Sequence, residues 1–207
     1  FLKILVIGDT STGKTSLVNR LVHNTFQDHY KATLGCEFGL KTVSVGGEDV
    51  RVQLWDIAGQ DRLGGISRMY CRDANGALVI CDVTNSTSIE RITSWKKQVD
   101  DNARLPDGSC IPMVLCLNKC DLVNVATCMR QDEVDRLVNS NHFHSGMFTS
   151  AKTAMNVEEA LSRLVKQITT KTKIGNDRTT RNSRMLGSPT RVGPSEARAT
   201  KKSGCCC

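Results

Sequence analysis

Leu2-Lys3-Ile4-Leu5-Val6-Ile7 runs straight into Gly8-Asp9-Thr10-Ser11-Thr12-Gly13-Lys14-Thr15, and an amphipathic stretch from Ser16 to His23 follows. The apolar run reads as a buried strand and the stretch after it as a helix. Between them, two glycines, a lysine and a hydroxyl residue fit the spacing of a phosphate-binding loop. The order of the three pieces carries the chemistry. A tight turn leaves consecutive backbone N–H groups pointing inward at a helix start, where unpaired amides and the helix dipole both favour phosphate oxygens. Lys14 adds a charge for the β- and γ-phosphates, and Thr15 offers a hydroxyl to Mg²⁺. The ordinary alternative is a glycine-rich strand-to-helix turn with an incidental lysine, and the loop alone says nothing about the base.

Further along, Phe26 to Gly35 is polar and irregular, and the alternating residues Phe38 to Val45 read as an edge strand. Gly46-Gly47 marks a hairpin turn that pairs this strand antiparallel with Val50 to Trp55. Three more apolar strands are expected at Ala77–Cys81, Pro112–Leu117 and Met147–Thr149, separated by helices near Ser88–Asn102, Gln131–Asn139 and Val157–Thr170. Continuous apolar strands alternating with helices imply an α/β fold: a six-stranded, mostly parallel sheet with one antiparallel edge strand and helices on both faces. Ligands of such sheets bind at the carboxyl ends of the strands.

At 207 residues the chain suits one domain, residues 1–170, and a tail, residues 171–207. Past Thr170 periodicity gives way to Ser, Thr, Gly, Pro and Arg, the composition of a flexible linker. From Lys171 onward nine basic residues stand against two acidic ones, and that excess equals the whole net charge of +7. The charge therefore argues for an anionic membrane leaflet rather than for nucleic acid. Of the ten cysteines, Cys81 and Cys116 sit inside apolar runs as small hydrophobes, and none shows ligand-like spacing with His142 or His144. A reduced, cytosolic setting is expected. No apolar run is long enough to span a bilayer. No signal peptide is read at the start, and the opening on Phe1 without an initiator methionine leaves room for residues ahead of it.

Asn118-Lys119-Cys120-Asp121 follows a predicted strand directly. A carboxylate there can accept from the ring N–H and the exocyclic amine of guanine, whereas adenine presents a lone pair at the same ring position and is repelled. Lys119 can lie along the base, and the Ser150-Ala151-Lys152 turn can reach the guanine carbonyl through a backbone N–H. As a lone tetrapeptide this would be an ordinary turn. After a phosphate loop and an Asp56-x-x-Gly59, and before Ser-Ala-Lys, it selects GTP and GDP.

With these motifs in hand, the chain resembles the small GTPases of the Ras superfamily, and within them the Rab proteins, over residues 2 to about 170. The resemblance implies a P-loop G domain in which Ser11, Thr12, Gly13, Lys14, Thr15 and Ser16 contact the phosphates and Phe26 packs on the base. It also implies that Thr15 and Thr33 meet Mg²⁺, with Asp56 reaching the ion through water, and that Gly59 donates its N–H to the γ-phosphate. Gln60 matches the residue that orients the attacking water, in a hydrolysis that is slow without an activating protein. Rab activating proteins supply a glutamine of their own as well. Phe38, Trp55 and Tyr70 match the aromatic triad that meets effectors, although ordinary packing would also account for three such residues.

Ile57 after the Trp-Asp pair and the insertion Leu105 to Pro112 resemble the Rab branch serving lysosome-related organelles, while Asp61, Leu63, Gly64 and Gly65 depart from its usual run. The glycine pair predicts a second switch ordered only with the γ-phosphate present. Gly204 occupies the fourth position from the end, which excludes a C-a-a-X box. Cys205, Cys206 and Cys207 resemble instead the Rab double geranylgeranylation site, with the modified pair left open. The resemblance therefore implies a monomeric switch at the cytoplasmic face of endomembranes, of the endosome and lysosome-related kind. Its expected partners are an exchange factor, a GTPase-activating protein, a GDP-dissociation inhibitor, a prenylation escort and effectors. Two alternatives stand beside it: a metabolic P-loop kinase, which Asp121 opposes, and a GTP-locked membrane scaffold that Thr10 and the unusual second switch would favour.

Overall fold

The computed structural model describes residues 1–28, 33, 35–59, 66, 68–125 and 129–185, with side chains described as far as residue 171. Its strands are β1 (Leu2–Ile7), β2 (Cys36–Val45), β3 (Glu48–Ile57), β4 (Gly76–Asp82), β5 (Met113–Asn118) and β6 (Ser145–Phe148). Among the described residues the helices are α1 (Lys14–His23), α2 (Arg68–Cys71), α3 (Ser86–Glu90), α4 (Ile92–Asn102), α5 (Gln131–Ser140) and α6 (Val157–Met185). The sheet order is β2-β3-β1-β4-β5-β6. β1, β4, β5 and β6 run parallel along the ladder from β3, and β2 alone pairs antiparallel, against β3.

Alternation within each strand divides the core into two layers. On one face Ile4, Val6, Leu54, Leu78, Ile80 and Val114 pack against Leu17 and Leu21 of α1 and Leu161, Leu164 and Ile168 of α6. On the other, Leu5, Ile7, Ala77, Val79, Leu115 and Leu117 pack against Trp95 and Val99 of α4 and Val134 of α5. β1 and β4 are buried on both faces, which is why their sequences are nearly continuous apolar runs. Cys81 and Cys116 lie within these layers; burial lifts the Cys81 thiol to about 12 and that of Cys116 higher still. The described cysteines are free thiols.

The hairpin forms where the glycine pair predicts it. Val45 faces Glu48, and Gly46 and Gly47 both take positive φ, 61° and 82°, as the tight turn matched to strand twist requires. Two helical segments differ from the sequence expectation. The stretch near Ser88–Asn102 is two helices: Asn85 caps α3 through its side chain, and α3 closes at Arg91, whose N–H bonds the Thr87 and Ile89 carbonyls before α4 starts at Ile92. α6 continues past Thr170 to Met185, since no proline interrupts the chain between Pro112 and Pro189 and only Gly175 weakens the run. The insertion 105–112 closes on itself through an Arg104–Cys110 bridge and a Gly108 N–H to Leu105 carbonyl bond of 2.8 Å. Among the described residues, no helix is long and apolar enough to cross a membrane.

Candidate functional site

β1 delivers the phosphate loop to the carboxyl edge of the sheet, and β3, β5 and β6 deliver the other predicted segments to the same edge. They meet around a cleft of about 560 Å³. Ser11, Gly13, Lys14, Thr15, Ser16, Phe26, Thr33, Gly59, Asn118, Lys119, Asp121, Ala151 and Lys152 all line it. Thr12, Asp56 and Ser150 are buried directly behind its walls. Gln60, the run Asp61 to Gly65 and the Cys205–Cys207 cluster lie outside the described residues.

The phosphate loop folds around the Asp9 carbonyl, which accepts from the Thr12 hydroxyl at 2.9 Å and from the Lys14 ammonium at 2.8 Å. Burial pushes the Lys14 ammonium down to about 8, against the pull of Asp56 and Asp9. A buried cation short of counter-charge is what an anionic ligand would relieve. Gly13 has φ +93°, and a Cβ on it would come within 2.4 Å of Asn118 Nδ2. That close approach lets Asn118 donate to the Thr12 carbonyl at 2.8 Å and so tie the base-side loop to the phosphate side.

On the β3 side, Thr15 Oγ1 lies 2.5 Å from Asp56 Oδ2 and 2.7 Å from Thr33 Oγ1. Asp56 Oδ1 is buried and, among the described residues, has no hydrogen-bond partner. Burial raises the Asp56 carboxyl above its ordinary range despite the hydroxyl from Thr15. Two hydroxyls and one carboxylate with an orphaned oxygen are hard oxygen donors, which fit Mg²⁺ completed by phosphate and water. Thr15, Thr33 and Asp56 would hold that ion, and it would supply charge neutralisation for the phosphates. Among the described residues no group of three or more His, Cys, Asp or Glu forms an all-protein metal cage. Gly59 closes this wall: a Cβ there would lie 2.5 Å from the Asp9–Thr10 peptide and 2.7 Å from Lys14 Nζ.

At the base side, Ser150 Oγ donates to Asp121 Oδ1 at 2.6 Å and fixes one carboxylate oxygen. Asn118 Oδ1 accepts from the Ala151 N–H at 3.2 Å. Lys119 sits in the left-handed region at φ 64°, a cost for a residue with a side chain, and its ammonium pairs with Asp82 at 2.6 Å. Asp82 is buried, which alone would raise its carboxyl, but bonds from Lys119 and Thr84 hold it low.

Several contributors were not visible in the sequence. Asp82 anchors Lys119, and Asp9 is pinned from outside the loop by Trp95 Nε1 at 2.7 Å and Arg91 at 3.4 Å. Their partners lie 37 to 86 positions away and follow no motif spacing, so no local signal could have found them. Of the aromatic triad, Phe38 faces Trp55 across the β2–β3 ladder with ring centroids 6.1 Å apart. Phe38 is 65% exposed, whereas Trp55 and Tyr70 are half-buried against the core.

The Ras family model matches residues 3–170 of the chain. The chain belongs to the Ras family. Within it, this GTPase is 39% identical over 205 residues to human Ras-related protein Rab-32, covering 99% of the chain and 88% of the relative. It is 44% identical over 168 residues to Ras-related protein Rab-32A of Dictyostelium discoideum, covering 80% and 77%. Human Ras-related protein Rab-7L1 is 41% identical over 167 residues, covering 80% and 81%. Those likenesses put the Ras-family chain in the Rab branch that holds Rab-32 and Rab-7L1. As a Rab GTPase it binds guanine nucleotide, hydrolyses GTP to GDP and phosphate, and acts as a switch in membrane traffic.

Proposed function

We propose that this Rab protein is a Mg²⁺-dependent switch that recruits effectors to endomembranes, of the lysosome-related kind, only while GTP is bound. The observation that carries the reading is the single cleft joining the Asp9–Lys14 phosphate cradle, the Thr15–Thr33–Asp56 oxygen set and the Asp121–Ser150 pair. Asp121 would read the base, Thr33 and Gly59 would register the γ-phosphate, and Gln60 would orient the attacking water. The exposed Phe38, with Trp55 and Tyr70 behind it, would form the effector surface, because only an exposed aromatic can be covered by a partner.

Residues 1–170 would act as the switch domain and residues 171–207 as its tether, a basic tail ending in Cys205, Cys206 and Cys207. Two geranylgeranyl chains give stable anchoring where one is marginal. An exchange factor, an activating protein, a dissociation inhibitor and a prenylation escort would serve the cycle of this monomer. A GTP-locked scaffold finds no support in the relatives compared. Displacement of bound GDP tests the base assignment: GTP should displace it and ATP should not, and equal displacement by ATP would overturn the reading.

A further inference from the structure

We propose that Arg20 is a positioning residue for guanine recognition, coupling the phosphate-bearing helix to the turn that reads the base. The inference rests on the guanine reading of the cleft. Arg20 lies on α1, six residues after Lys14, yet its guanidinium reaches across to the β6–α6 turn. Its Nε donates to the Ala151 carbonyl at 2.9 Å and its Nη2 to the Lys152 carbonyl at 2.9 Å. Its Nη1 turns back to the Asn24 carbonyl at 2.9 Å and to Asn24 Oδ1 at 3.1 Å.

Two consecutive carbonyls of one turn thus face a single planar fork, a geometry that guanidinium provides and a lysine ammonium does not. The opposite side of the same turn is held by Asn118, through the Ala151 N–H at 3.2 Å, and Asn118 in turn donates to the Thr12 carbonyl at 2.8 Å. The bonds therefore form a closed circuit from phosphate loop to Asn118, to Ala151, to Arg20 and back along α1. Removing Arg20 opens the circuit at one point and leaves the turn pivoting about Asn118. A backbone N–H of this turn that would meet the guanine 6-oxygen then loses its aim, while Asp121 and the phosphate loop keep their own bonds. An arginine that merely closed the end of α1 would act through Asn24 alone.

The test is a competition titration of full-length protein with GDP and with 6-thio-GDP, which keeps the ring N–H and amine but weakens the acceptor at position 6. Wild type should prefer GDP, and Arg20→Met should narrow that preference about tenfold, as loss of a charged hydrogen-bond donor predicts. Arg20→Lys keeps the charge and supplies a folded comparison, and it should narrow the preference as well. Asn24→Gly keeps the left-handed end of α1, φ 53°, and should leave the preference at the wild-type value. An unchanged preference in folded Arg20→Met or Arg20→Lys protein overturns the role of Arg20 alone. Wild type that binds ADP as tightly as GDP overturns the guanine reading beneath it.

Discussion

Lys14 shows how a single side chain links burial to ligand and pH. Its ammonium is held at about 8 where an exposed lysine titrates near 10.5. In nucleotide-free protein it is a destabilising charge below about pH 8. That penalty is relieved as pH rises from about 8 to 10.5, because over this window the unfolded chain holds the proton and the folded chain has released it. Phosphate favours the charged form, so GDP binding should take up a proton above about pH 8 and weaken as pH rises further. Calorimetric titrations in two buffers of different ionisation enthalpy should show net uptake near pH ~9 and none near pH ~7; equal uptake at both would refute the linkage. Trp95→Phe keeps a ring in the core but removes the indole donor to Asp9 at 2.7 Å, so GDP dissociation should accelerate about tenfold, read by release of a fluorescent GDP analogue. The motif residues themselves could be named from spacing. Asp9, Trp95 and Asp82 could not, since nothing in their neighbourhoods announces a partner so far along the chain.

Elements were legible to the extent that each carries its own pattern. β1, β4 and β5 are apolar runs because both their faces are buried, and the Gly46-Gly47 hairpin is local turn chemistry. The break between α3 and α4, at Arg91, is not legible in the sequence because apolar periodicity continues through it, and the Asn85 and Ser88 side chains bind backbone at the start of α3. Asn85→Ala should therefore cost about 1 kcal/mol in chemical denaturation, through the Thr87 N–H left uncapped. α6 depends on packing rather than on propensity for the part that touches the sheet. Leu164 is wholly buried there, and Leu164→Ala should cost about 3 kcal/mol in the same measurement. A loss below about 1 kcal/mol would mean that the helix is not held by this layer.

For the whole molecule, β2 leaves Phe38 65% exposed beside the half-buried Trp55, so a partner would cover Phe38 without entering the core. Phe38→Ala should leave stability and GDP affinity unchanged and weaken effector binding to the GTP form by at least about 2 kcal/mol, measured by titration of the two nucleotide states. Equal weakening in both states would argue against a switch surface. By itself the sequence determined the six strands, the place of most helices, the motif spacings, and that the excess charge lies beyond residue 170, because these follow from spacing, periodicity and composition within short windows. Only the tertiary structure decided that Asn118 meets the loop after β1 across 106 positions and that Arg20 meets the turn after β6 across 131. Those meetings are products of strand order: β5 lies two places from β1 in the sheet, and α6 folds back beside α1. Strand order is chosen by the global packing of both faces, so no local window of sequence contains it.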